Sequence, residues 1–394
     1  MTLSIRPEPY IIPEYSLTGD LLSYLNCGLQ YRYYNRGSLP PATPVQLWFG
    51  EFIHGVLEEA YLNWRDQGLR HFPLDWLQQI RPLEMQIHRR LIARGLFPPP
   101  NLFCPYDALN QSAGICPDAN HPHRLLASKR AEAAINTWGQ YLFPLVDQAE
   151  VRLTGIRDMP GYKPKTSRSN YYGVTGIVDV LSSVNLNKAP RGNLILHFIR
   201  NFPDIENIIK NLPKQEYEII IDYKGMKRPS TTDPAWKYHE WQVQTYAWLR
   251  QQQPGAKRVA AGIIFYLNEL VPSGEDIAQL ADDIASSSTD LPPKGADLKA
   301  ITSWKRGAAV PRLSTPYLEE RSIRLFPITD YSKANSLREF DAVVSDIENS
   351  VLSEMQTGQI NGSWQPKPAV RTCTACDFKT FCSKAAKPYA PTIP

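Results

Sequence analysis

The residues with the most chemistry in them lie in EYEIIIDYKGMKRPS, around an Asp222-x-Lys224 pair. Ile219, Ile220 and Ile221 form a short apolar run between polar flanks, the mark of a buried β-strand. Side chains alternate along a strand, so Asp222 and Lys224 share one face while Ile221 and Tyr223 take the other. A carboxylate beside an ammonium at a strand's end suits phosphodiester hydrolysis. The acid holds a hard divalent cation, and the amine orients water or steadies charge on phosphorus. Taken alone, a surface ion pair accounts for the two residues equally well. Gly225 then lets the chain turn, with Lys227 and Arg228 following.

A second group is the cysteine trio in RTCTACDFKTFC, Cys373, Cys376 and Cys382. Three thiols so closely spaced invite oxidation unless they are liganded. A fourth ligand would complete a site for either zinc or an iron–sulfur cluster. Asp179 is a third candidate, because it follows two apolar residues in GVTGIVDVLSSV, a β-rich run. An aspartate buried in such a strand needs a partner or a cation. Cys104, Cys116, His121 and His123 match no tight zinc spacing, and an ordinary insertion is the better reading of their segment.

The elements that must position these groups follow from periodicity. Thr18 is placed to cap a helix through DLLSYLNCGLQYRYYNRG, stopped by Gly37, which puts Cys27 inside it. The 3.6-residue period predicts a helix over Leu47 to Trp64, with His54 off the apolar stripe and in line with Glu51 and Glu58. Further helices are expected over Leu83 to Arg94, Lys129 to Ala149, Trp236 to Gln252 and Lys333 to Gln356. Strands are expected from Glu150, over Tyr171 to Val184, Lys257 to Asn268 and Arg321 to Ile328. In the Trp236 helix, Gln242 and Tyr246 fall one turn apart on one face. Lys163, Lys165, Arg168 and Arg191 in the loops are an unspecific phosphate-contacting set. Residues 97–123 and 272–316 read as insertions, 1–16 as a tail and 367–394 as a cysteine segment.

With 394 residues, 43% hydrophobic and 21% charged, the chain has the composition of a globular protein with a sizeable core. A net charge of +4 permits an anionic partner without demanding one. No apolar run approaches membrane-spanning length, and MTLSIRPEPY has no signal-peptide core, so a cytoplasmic location is expected. There, cysteines serve as thiols or metal ligands more often than as disulfides. There is no G-x-x-x-x-G-K-[ST] loop and hence no ATP motor in the sequence.

Six motifs then stand in a familiar order: the cysteine of SYLNCGLQYRYY, the histidine of GEFIHGVLEEA, Gly176-x-x-Asp179, Asp222-x-Lys224, Gln242-x-x-x-Tyr246 and the terminal cysteines. In this order the chain resembles RecB-like PD-(D/E)XK nucleases with an iron–sulfur cluster, similar to CRISPR-associated adaptation nucleases and the AddB nuclease domain. The resemblance implies an α/β fold, a restriction-endonuclease-like core with a mixed central sheet flanked by helices. Its helical N- and C-terminal parts would be joined by the cluster, with the nuclease domain over residues 17–366. It implies Mg²⁺ or Mn²⁺ on His54, Asp179 and Asp222, Lys224 as the catalytic lysine, and Gln242 and Tyr246 lining the site. A [4Fe–4S] cluster would sit on Cys27, Cys373, Cys376 and Cys382, and Lys227, Arg228 and Tyr246 would contact DNA. The implied function is metal-dependent cleavage of DNA, single-stranded or with free ends, in repair, recombination or CRISPR-type defence. Helicase, integrase or other defence-complex partners would accompany it. The alternative is a non-catalytic DNA-end-binding or scaffold subunit. The sequence departs from the usual pattern at Cys27-Gly28-Leu29, where relatives often carry Cys-Pro-Arg, and at Asp222, where many carry Glu.

Overall fold

In the computed structural model, which describes residues 12–36, 45–68, 71–99, 101–105, 123–212 and 216–386, the strands form one mixed sheet. They are β1 (Glu14–Ser16), β2 (Val146–Asp158), β3 (Tyr171–Asn185), β4 (Glu216–Lys224), β5 (Val259–Tyr266) and β6 (Ile323–Pro327). The order is β1-β3-β4-β5-β6, with β2 also on β3. β3 is long enough to pair antiparallel with β2 along most of its length and, in succession, with β1 in parallel and β4 antiparallel. β4 and β5 run parallel, which requires a crossover between them. β5 and β6 close the order as an antiparallel pair.

The helices in chain order are α1 (Leu22–Asn26), α2 (Gly28–Arg36), α3 (Val45–Gln67), α4 (Arg81–Ala93), α5 (Leu126–Ala134), α6 (Gln140–Leu142), α7 (Leu194–Arg200) and α8 (Pro203–Lys210). The crossover α9 (Pro234–Gln251) follows, then α10 (Gly274–Ala285), α11 (Gly295–Ser303), α12 (Thr315–Ser322), α13 (Asp330–Thr357) and α14 (Val370–Thr374). They form two layers. Ile219, Ile221 and Tyr223 of β4 face a core built with α3, α4 and α5, while Ile220 faces one built with α9 and α13. The α/β sandwich thus arises from the alternation of a single strand. Asp233 caps α9, accepting from Ala235 N at 2.8 Å, and Pro234 supplies a preset first turn. None of the helices among the described residues is long and apolar enough to cross a membrane.

Three expectations need correction. The first helix is capped by Ser16, which accepts from Gly19 N at 3.1 Å, and not by Thr18. It breaks at Cys27, whose extended backbone (φ −167°, ψ 110°) separates α1 from α2. Gly37 lies outside the described residues. The segment before β2 turns out of helix by Leu145, so the strand begins at Val146, four residues before Glu150. Residues 272–316, expected as an insertion, hold α10, α11 and the start of α12 around a small core of Ile277, Leu280, Ile301, Leu313 and Tyr317. Most of the stretch 97–123, with Cys116 and His121, lies outside the described residues.

The two ends of the described chain meet through protein contacts. Leu29 N donates to Gln365 O at 3.3 Å. Arg32 grips Glu354 with two bonds of 2.7 and 2.6 Å, and Trp364 Nε1 donates to the same carboxylate at 2.6 Å. The rings of Tyr33 and Tyr34 pack on Phe378.

Candidate active site

The Asp222-x-Lys224 pair leaves the end of β4 toward α9. Asp222 is buried, and its Oδ2 accepts no directed hydrogen bond but meets Lys224 Nζ as an ion pair at 2.6 Å. Gln242, on the facing side of α9, ties both residues: its Nε2 donates to Asp222 Oδ1 at 2.7 Å and its Oε1 accepts from Lys224 Nζ at 2.7 Å. The same Nε2 lies 3.0 Å from the hydroxyl of Tyr246, one turn on. α9 comes this close because β3 presents Gly176 there. A Cβ at that position would stand 2.5 Å from the Tyr246 ring, so the glycine of Gly176-x-x-Asp179 makes room for the tyrosine.

Asp179 is reached from the other side. Its Oδ2 accepts from Tyr223 N at 2.6 Å, and its Oδ1 lies 3.5 Å from His54 Nδ1, which α3 brings in. His54 Nε2 lies 2.9 Å from the carbonyl oxygen of Tyr223. A carbonyl only accepts, so Nε2 carries the hydrogen, and in the neutral ring Nδ1 turns a lone pair toward Asp179. The backbone of Tyr223 therefore orients both side chains.

The side-chain alternation of β3 inverts at Asp179. Val178 lies in the α9 core and Val180 in the α3 core. Opposite, Glu150 of β2 falls between the bonded pairs Ala149↔Val180 and Val151↔Val178 and adopts φ 51°, a left-handed backbone that costs a non-glycine residue energy. This irregularity turns the Glu150 carboxylate into the site: ligand atoms of His54, Glu150 and Asp179 all lie within 4.8 Å of one another. Glu150 went unrecognised in the sequence as a site residue. Its strand was expected, but its role depends on cross-strand register and an unusual φ, which periodicity does not report.

The electrostatics suit a cation. Burial, reinforced by the charge on Asp179, pushes Glu150 up to about 7. Burial also raises Asp222, to about 6, against the pull of Lys224 and with the help of Asp179. For Asp179, burial is outweighed by His54 and the Tyr223 N–H, and its carboxyl is held below the usual range. For His54, burial is outweighed by Asp179 and Asp222, and the ring rises to about 9. Protons are thus held where a divalent ion would replace them. Among the described residues His54, Glu150 and Asp179 form the one group that meets single-ion geometry, and the donor set of imidazole and carboxylates fits Mg²⁺ or Mn²⁺.

Other expected site residues are placed elsewhere. Arg228 is buried, with Nε donating to Asp290 Oδ1 at 2.9 Å, a second bond to the same carboxylate, and Nη1 donating to Ile323 O at 2.7 Å. Lys227 Nζ sits 3.4 Å from Asp283. Both expected DNA cations are committed to carboxylates of the α10 segment, and Arg228 in particular is a strut, because its fork is filled. Arg168 is likewise paired with Glu348, at 2.5 and 3.0 Å.

Cys27, Cys373, Cys376 and Cys382 line one pocket between the first helices and the terminal segment. Their sulfurs do not converge as ligands of a single ion do. Burial raises the Cys376 thiol, as do the charges of the other three. Backbone N–H groups of Lys367 and Ala386 point at Cys27 Sγ and Cys373 Sγ at 3.4 and 3.3 Å. Cys104 is apart from these, 3.5 Å from His123 Nδ1.

Residues 208–383 match the PD-(D/E)XK nuclease superfamily. The match takes in Asp222, Lys224, Gln242 and Tyr246. His54, Glu150 and Asp179 lie before it in sequence and join it only in the fold. No curated protein matches the chain.

Proposed function

We propose that the chain, with its PD-(D/E)XK nuclease superfamily domain over residues 208–383, is a Mg²⁺- or Mn²⁺-dependent deoxyribonuclease. The observation that carries this reading is the meeting of His54, Glu150 and Asp179 with the Asp222–Lys224 pair at the end of β4. His54, Glu150 and Asp179 would hold the ion, with Asp222 completing its surroundings. A bound ion supplies Lewis-acid charge to a phosphate oxygen and lowers the pKa of water. Lys224 brings an ammonium to the same place, where it steadies charge growing on the phosphate. Gln242 keeps that ammonium and the Asp222 carboxylate in fixed register, and Tyr246 walls the site. Burying Asp179 and Asp222 beside the half-buried Lys224 has no use in a scaffold, which disfavours the non-catalytic alternative.

The test is cleavage of DNA by the intact chain with Mn²⁺ and in chelator. Asp222→Ala and Lys224→Ala should each abolish cutting while leaving DNA binding. Undiminished cutting by both would place the active site elsewhere.

The RecB-like resemblance further supports a [4Fe–4S] cluster on Cys27, Cys373, Cys376 and Cys382, with a role in DNA processing or defence beside a helicase or integrase. A cubane is larger than a single ion, so its thiolates stand further apart around a shared pocket. N–H donors aimed at two of the sulfurs suit bound thiolates. Protein purified without oxygen should carry iron and acid-labile sulfide in nearly equal amounts, lost in Cys27→Ala. Stoichiometric zinc in their place would refute the cluster.

A further inference from the structure

The β2–β3 ribbon has one covered face and one bare face. α9 covers the first so closely that a Cβ on Gly155 would stand 2.7 Å from Trp248. The second carries the cross-strand pairs Arg152↔Ile177, Ile156↔Gly173 and Asp158↔Tyr171. Ile156 is 63% exposed, Ile177 49% and Tyr171 41%. The helical layer on this side of the sheet packs on Val180 and Val184 and does not cover the ribbon beyond Asp179. The bare face therefore starts beside the Glu150–Asp179 position and runs to the β2–β3 turn, where Tyr162, Lys163 and Lys165 are exposed. From residue 179 to residue 171 it extends about 26 Å at the rise of a strand.

We propose that this face is the track along which single-stranded DNA enters the active site. The proposal rests on the nuclease reading and adds, to the single-stranded or free-ended DNA that the resemblance implies, the route the strand takes. Continuity is the first argument: the pair Arg152↔Ile177 is the second from the Glu150–Asp179 position, on the same two strands. Spacing is the second. The apolar side chains are set apart by Thr154, Thr175 and Arg152 and make no continuous apolar patch of the kind a protein partner buries. Separate apolar and aromatic platforms between cations match a strand whose bases and phosphates alternate. A duplex has its base faces already stacked and offers Tyr171 nothing to cover. Arg152 lies 3.5 Å from Glu14 with both exposed, a weak pair that phosphate can replace. Glu14 and Asp158 are acids on the track, so the cations of the turn, Lys163 and Lys165, carry the far end.

The test is anisotropy of a short labelled oligothymidylate with the full chain in chelator, where nothing is cut. Tyr171→Ala should weaken binding about 5- to 100-fold, and Ile156→Ser should weaken it in the same direction, with melting temperatures unchanged. The double change Lys163→Gln, Lys165→Gln should lower the slope of log affinity against log salt by about 1.4. With Mn²⁺, Tyr171→Ala should raise KM and leave kcat. Binding equal to wild type in these variants, preference of the wild type for duplex, or loss of self-association in place of DNA binding would each overturn the track. If Asp222→Ala abolishes cutting while Tyr171→Ala binds normally, the track fails and the nuclease stands. If Asp222→Ala still cuts but Tyr171→Ala loses the oligonucleotide, the nuclease assignment of the site fails and the binding face stands.

Discussion

Gln242 donates to Asp222 Oδ1 at 2.7 Å, and the oxygen of the same amide accepts from Lys224 at 2.7 Å. One side chain of α9 thereby sets the distance between the acid and the amine of β4. Gln242→Glu keeps the size but turns a donor into a carboxylate facing another carboxylate. It should lower kcat roughly 10- to 100-fold with little change in KM, and shift the acidic limb of the pH profile upward as Asp222 becomes harder to ionise. A profile that keeps its midpoint would show that Gln242 does not hold Asp222.

Glu150 should reveal itself by two readouts of opposite sign. Burial and Asp179 push its carboxyl up to about 7, so at pH 8 in chelator its charge opposes folding. Glu150→Gln should then melt at a higher temperature than wild type. The same variant should bind Mn²⁺ at least tenfold more weakly by calorimetry, on the order of 1.4 kcal/mol or more. A variant that melts lower in chelator and binds Mn²⁺ as before would return Glu150 to an ordinary strand residue.

Arg228 is predicted to matter for stability and not for DNA. Removing the buried guanidinium leaves the Ile323 carbonyl without its donor and returns the exposed Asp290 carboxylate to water. Arg228→Ala should cost about 1 to 3 kcal/mol in denaturant unfolding and leave the salt dependence of DNA binding unchanged. A lower salt slope at unchanged stability would make it the DNA contact that its sequence neighbourhood suggests.

His88 gives a pH signature. Burial, with Arg81 and Arg89 nearby, holds it down at about 4, from 6.5 when exposed, and its Nδ1 has no hydrogen-bond partner. Between those values the unfolded chain binds the extra proton, so stability is complete above pH 6.5 and falls as pH drops toward 4. The loss should approach roughly 1 kcal/mol per pH unit after allowance for screening. His88→Phe, whose ring fits between Trp48 and Phe103, should lack this part of the slope. Parallel melting curves for the two proteins over pH 4 to 6.5 would count against it.

Much of the site was legible because strong periodicity carried it. The isoleucine run fixes β4 and hence the common face of Asp222 and Lys224, and the α9 pattern puts Gln242 one turn from Tyr246. What escaped depends on partners distant in sequence. The φ of Glu150 is set by the β2–β3 pairing, and the role of Arg228 is decided by Asp290, 62 residues on. The break at Cys27 escaped because the residues on both sides are helical. In residues 272–316, serines and prolines hid short helices, although Ser273 and Asp276 spell a reciprocal cap, bonded at 3.2 and 2.8 Å.

The grip of Arg32 on Glu354 joins residues 322 positions apart. During synthesis at about 5 to 20 residues per second, α2 therefore waits roughly 15 to 65 s for this carboxylate to be made. Until then the tyrosines that will pack on Trp364 and Phe378 face solvent or a chaperone. A nascent chain arrested before Trp364 should thus expose its first helices to protease even when the β2–β5 sheet is already protected. The later-made segment that carries Glu354, Trp364 and Phe378 would act as the latch that closes α1 and α2.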